Sequence, residues 1–368
     1  MKTAELGRLA VSPAAQESYL SVASYLKGRR RWRVLAVAAA VAVVSMLIAA
    51  TIGSVGIPVS AIMRILLARL PFLSIVPDWP AAYEAIVFQI RLPRVIMAAL
   101  VGGALAISGA TYQGIFRNPL ADPYLIGVAS GAAFGATLAF MLPVDVSFLG
   151  LGLVQIAAFL GALAVVAIVY SLARVGNSTP MTTLLLAGVA IGSLFWAATA
   201  FLMIAAGDKL RVIYIWLLGG FSLGYWSGIV AILPYLIVGL VVTLFYARPL
   251  NVMQLDEDQA RQLGVNVERL KLILVAAASL MTAAAVSVSG IIGFVGLIVP
   301  HVVRMIWGPD HRFLLPMSAL VGSVFLVWAD TASRIILAPG ELPVGILTAL
   351  FGAPFFLYLL RQKKKAVF

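Results

Sequence analysis

Long apolar runs separated by short polar or charged stretches divide this chain. They lie near residues 34–52, 95–116, 124–142, 150–172, 181–206, 228–247, 270–290, 292–308, 313–336 and 342–360. An uncharged helical run of 17 to 25 residues can cross roughly 30 Å of hydrocarbon. The seventh and eighth runs count separately, because 270–308 exceeds one crossing and contains Ser289-Gly290 and Pro300. The pattern predicts an all-α polytopic membrane protein with ten transmembrane helices per protomer. A tail (1–33), cytoplasmic or lying on the membrane surface, precedes the membrane domain (34–361), and a short basic cytoplasmic tail (362–368) follows it.

The first run follows K-G-R-R-R-W-R but is too long for a signal-peptide core, and no small-x-small site follows it; it reads as a retained span. An even number of spans puts both termini on one side. With that side cytoplasmic, 19 of the 26 Lys and Arg lie inside. Arg64, Arg69, Arg91, Arg94, Lys209, Arg211 and Arg334 remain outside. The excess predicts cytoplasmic termini in a multi-pass protein of the cell (inner) membrane.

Composition narrows the chemistry. Hydrophobic residues make up 62% and charged residues 11%, against about a quarter charged in soluble domains. Without cysteine there are no disulfides or thiolate sites, and two histidines are too few for a His-based metal centre. The net charge of +12 is explained by residues flanking spans, not by nucleic-acid binding. No G-x-x-x-x-G-K-[ST] occurs, so no cofactor is expected in this chain, and no catalytic constellation points to an enzyme. Ionisable residues are scarce within the spans; Asp330 and Glu341 lie near the outer ends of the ninth and tenth. That scarcity weighs against the rival reading, an ion-coupled secondary transporter acting without an ATPase.

Small residues recur at steps of four: Gly127, Gly131 and Gly135 on the third span, Gly188 and Gly192 on the fifth. They suit close helix packing or a smooth wall for a large solute. ALAISGATYQGIFRNP (104–119) resembles AVSVSGIIGFVGLIVP (285–300), and these segments run in opposite directions across the membrane. This predicts an inverted pseudo-repeat.

Two polar segments stand out on the cytoplasmic side. In RNPLADP, Asn118 and Pro119 end one helix; Asp122 and Pro123 supply an N-cap acceptor and a first-turn proline for the next. LDEDQARQLGV (255–265) carries Asp256, Glu257 and Asp258 side by side. They can cap a short helix, Gln259 to Leu263, which Gly264 closes. Leu255, Ala260 and Leu263 could share a small apolar face. The segment is either a docking surface or a solvated link between spans.

QIRLPRVIMAALVGGALAISGA, GIFRNPLADPYLIG, LDEDQARQLGV, SGIIGFVGLIVPHVVR, DHRFLLP, WADTASR and ELPVGILTALFGAPFF occur in this order. From about Gln89 onward the chain resembles the FecCD-type permeases, membrane subunits of type II ABC importers. The resemblance implies ten helices, a homodimer and two cytoplasmic ATPase subunits that hold ATP and Mg. It also implies an extracytoplasmic substrate-binding protein and a cargo of ferric siderophore, cobalamin or haem, with molybdate or tungstate in a few members. It assigns ATPase coupling to 255–269, hence to Leu255, Asp256, Glu257, Asp258, Ala260, Arg261, Leu263 and Gly264. The family usually has Gly where Asp256 stands. Binding-protein docking falls to Arg91, Arg94 and Arg334; the alternative is that Arg91 and Arg94 only anchor span two. The wording of the RNPLADPYLIG segment leans towards cobalamin or ferric siderophore.

Overall fold

A computed structural model of the chain describes residues 13–365, apart from 54, 70, 71, 73–75, 145, 149, 223 and 339. The outermost parts of both predicted tails, 1–12 and 366–368, lie outside the described residues. In chain order the helices are α1 (Pro13–Thr51), α2 (Val59–Leu67), α3 (Ala81–Ile115), α4 (Val128–Met141), α5 (Leu153–Ala173), α6 (Met181–Ala205), α7 (Leu210–Leu217), α8 (Trp226–Phe245), α9 (Ala247–Met253), α10 (Glu257–Gln262), α11 (Val267–Ser289), α12 (Val295–Trp307), α13 (His311–Ile336) and α14 (Val344–Lys365). A hairpin of two two-residue strands, Ser147–Phe148 and Leu151–Gly152, is the only sheet among the described residues.

Among the described residues, seven helices are long and apolar enough to cross a membrane: α1 from Arg31, α3, α5, α6, α8, α11 and α13. The remaining three predicted spans fall on shorter apolar helices: α4, α12 and the Val344–Tyr358 part of α14. Two boundaries differ from the sequence reading. Residues 13–33 of the predicted tail join the first span in one helix, because nothing between them breaks helical backbone. The second span starts at Ala81 rather than 95. Charged Arg91 and Arg94 suggest an aqueous loop, but after Pro80 the chain is already helical. Pro93, which lacks an N–H, is absorbed by π-helical turns at Ile86–Arg91 just ahead of it. Amphipathic α7, with only Ile213 buried, lies between the fifth and sixth apolar runs.

At the centre is α3, with 89% of its apolar window buried, against 22% for α1 and α6. It packs on α11, α12 and α13 through small residues. A Cβ on Gly102 would strike the Gly322 carbonyl, and one on Gly109 the Gly296 carbonyl. The predicted glycine steps on α4 work likewise: Gly131 and Gly135 abut the Gly161 and Ala157 carbonyls of α5. The two copies of the proposed repeat touch, since Gln113 Nε2 donates to the Leu297 carbonyl at 3.1 Å. Their local conformations differ. Ser108-Gly109 lies within α3, whereas Gly290, at φ 66°, ends α11.

Candidate functional site

One end of the bundle gathers the acidic island, the RNPLADP corner and the start of α13. Asp256, extended at φ −168°, caps α10: its side chain accepts the Glu257 N–H at 2.8 Å. The helix therefore starts two residues before the predicted Gln259. Glu257 and Asp258 occupy its first turn, next to the positive end of the backbone dipole. It closes as expected. Gly264 is left-handed at φ 83°; its N–H donates to the Arg261 carbonyl, and the Val265 N–H to that of Ala260, each at 3.0 Å. The predicted shared apolar face is not formed. Ala260 is fully buried, whereas Leu255 and Leu263 are 62% and 65% exposed. A six-residue helix has room for one inward apolar position here, and the leucines flank it on the open side.

The corner and the island meet. Arg117, itself left-handed at φ 50°, donates to Asp256 Oδ1 at 2.8 Å. That bond, with the Glu257 N–H, holds the Asp256 carboxyl below its ordinary range. Asn118 Oδ1 accepts the Leu120 N–H at 3.0 Å and turns the chain at Pro119. Asp122 accepts the Tyr124 N–H at 2.8 Å and caps a 3₁₀ turn, Pro123–Ile126. Burial pushes the Asp122 carboxyl up to about 6, only partly offset by the Tyr124 N–H. Nearby, Asp310 caps α13 and binds Arg31 of α1 at 2.6 Å and Asn251 of α9 at 2.8 Å. Burial alone would raise the Asp310 carboxyl; those bonds bring it below its ordinary value.

Beneath α10 lies Lys271 of α11, its side chain 2% exposed. Its Nζ donates to Glu257 Oε2 at 2.8 Å, to Glu268 Oε1 at 3.3 Å and to the Thr179 carbonyl at 3.3 Å. Glu268 also accepts the Thr179 N–H at 2.8 Å. One buried ammonium therefore joins α10, α11 and the lead-in to α6. Arg261 covers the same carboxylates from outside, 3.8 Å from Glu257 and 3.5 Å from Glu268. In the sequence Lys271 is one of the 19 inside charges, with nothing in composition to mark it further. The available signal was its position four residues into a span, one helical turn after Glu268.

The predicted docking arginines gather at the opposite end, but face inward. Arg91, Arg94 and Arg334 are 4%, 7% and 8% exposed. The last turn of α1 has no basic residue of its own, and two of these arginines satisfy its carbonyls. Arg91 donates to Ala50 at 3.2 Å, to Thr51 at 3.0 Å and to Val55; Arg334 donates to Ile52 at 2.7 Å. Arg94 is held between buried Asp330 at 2.9 Å and half-exposed Glu341 at 2.8 Å. Burial alone would raise the Glu341 carboxyl; Arg94, Ser222 and Arg334 bring it below its ordinary value. Arg64 and Arg69 of this end are exposed and paired with Asp78 and Glu84, and Lys209 and Arg211 are exposed as well. A cavity of about 260 Å³ opens beside Arg94 and Glu341, walled by Gln155, Trp216 and Phe221.

The profile of the FecCD transport family matches residues 29–362. This chain belongs to the FecCD transport family. The match extends well ahead of Gln89, where the recognisable motifs begin, and takes in the whole first span. Among curated FecCD relatives, the cobalamin import system permease protein of Halobacterium salinarum is 53% identical over 77% of this chain and 76% of its own. The hemin transport system permease protein of Yersinia pestis is 45% identical over 75% and 84%. A solved structure of a proposed metal-chelate type ABC transporter in an inward-facing conformation superposes with a TM-score of 0.76 at 33% identity. That superposition covers 90% of this chain and 99% of the solved one.

Proposed function

We propose that this chain is the membrane-spanning subunit of an ATP-driven importer of a metal chelate, with cobalamin as the cargo to test first. The 53% identity with a cobalamin permease over about three-quarters of both chains carries this reading. Two copies form the path, each with ten crossings in two inverted halves and both termini in the cytoplasm of the cell membrane. The island end faces the cytoplasm. There an ATPase subunit seats on α10, taking exposed Leu255 and Leu263 into a cleft, with Asp258 and Arg261 at the rim. ATP and Mg belong to that subunit, and cargo crosses without a chemical step in this chain. Closure of the ATPase pair moves α10. Through Glu257, Lys271 and Thr179 the motion reaches α6, which borders the path.

At the outer end a substrate-binding protein docks. Arg91, Arg94 and Arg334 shape that rim by tying α1, α3 and α13 together, and exposed Arg64 and Arg69 supply the steering charge. Uptake of labelled cobalamin, compared in cells with and without this chain, tests the cargo. A fall without it supports the reading. If labelled haem uptake falls and cobalamin uptake does not, the relation to the Yersinia permease decides the cargo instead. Uptake that persists without any ATPase partner would overturn the importer class.

A further inference from the structure

We propose that a groove on the membrane face of α5, α8 and α11 is a binding site for an anionic phospholipid. The groove holds about 870 Å³ and is walled by Val166 and Tyr170 of α5, Val242 of α8, and Leu272 and Ile273 of α11. All three helices qualify as membrane spans, so the trough runs alongside hydrocarbon and suits acyl chains. Its end towards the acidic island is basic. Arg174, directly after α5, lines the groove and bonds only the Gly176 carbonyl, at 3.1 Å. Arg269 of α11 stands three and four residues before Leu272 and Ile273, on the same helical face. Both are exposed, and neither is paired with a carboxylate among the described residues. The acid closest in sequence, Glu268, is turned away into the Lys271 cluster. The α5 and α11 walls of the groove thus each bring one unpaired guanidinium to the same end. Basic pockets between helices retain anionic headgroups.

The test is native mass spectrometry of the full chain released from vesicles of equal phosphatidylglycerol and phosphatidylcholine. Wild type should retain phosphatidylglycerol preferentially. Arg174→Glu with Arg269→Glu should lower that retention by about thirtyfold or more, each basic residue near an anionic surface being worth about 1 kcal/mol. Arg64→Glu, at the other end, should leave it unchanged. Ile273→Trp, which fills the trough without altering charge, should remove retention of both lipids at this site and keeps the test decisive if the charge variant fails to fold. Equal retention of the two lipids by wild type, or undiminished retention in both groove variants, overturns the proposal. So does an Ile273→Trp chain that changes oligomeric state, which would assign the groove to a second copy.

Discussion

At the scale of single residues, Lys271 separates coupling from mere folding. Replacing it by Met leaves Glu257 and Glu268 facing each other with no buried cation, a change of the kind that costs about 3–5 kcal/mol when a buried pair loses one partner. In reconstituted vesicles the expected outcome is continued ATP hydrolysis with a several-fold fall in cargo moved per ATP. Lys271→Arg should restore part of that ratio. Unchanged stoichiometry in Lys271→Met would leave the lysine a structural tie only. Asp122 makes a prediction in pH. Its folded carboxyl keeps a proton up to about pH 6, whereas the unfolded one ionises near 3.8. The unfolded chain therefore binds fewer protons between those values, and stability falls as pH rises through that window. Melting temperatures of wild type and Asp122→Asn, followed across about pH 4 to 6, should differ in slope. Parallel curves would remove Asp122 from the pH response.

At the scale of elements, α10 offers a cleaner handle than its composition suggests. Ala260 packs inward, so a charge there tests folding, whereas Leu255 and Leu263 stand free. Leu255→Asp with Leu263→Asp should leave the melting temperature within a few degrees of wild type. It should also prevent co-purification of the ATPase subunit; a complex that survives would move the contact elsewhere. This arrangement was half legible. Asp-Glu-Asp before a short helix and Gly264 after it announce both ends, because caps are local chemistry. Which side of a six-residue helix faces inward is set by α11 and the 174–181 segment beneath it, and no periodicity in six residues carries that.

At the scale of the whole molecule, the proposed docking of a binding protein at the end that holds Arg64 and Arg69 is testable through charge. Arg64→Glu with Arg69→Glu should slow association of the binding protein in a salt-dependent way without loss of fold, because rim charges act on encounter. Stopped-flow association at low and high salt reads this directly; equal rates would exclude that pair. Arg94→Ala, in contrast, should destabilise the protein by on the order of 3 kcal/mol, since Asp330 is 1% exposed and loses its main partner.

The sequence by itself determined that the chain is helical and membrane-embedded, which family it resembles, and where its corner and island lie. Those are properties of hydropathy, caps and contiguous motifs, all of which act over a few residues. Only the tertiary structure decided the use of its charges. Arg91 and Arg334 cap a helix about 40 and 280 residues away from them in the chain, and Lys271 reaches a carbonyl 92 residues distant. A cation's partner depends on which helix ends the packing brings within hydrogen-bond range, so the same residue type steers a partner when exposed and ties helices together when buried.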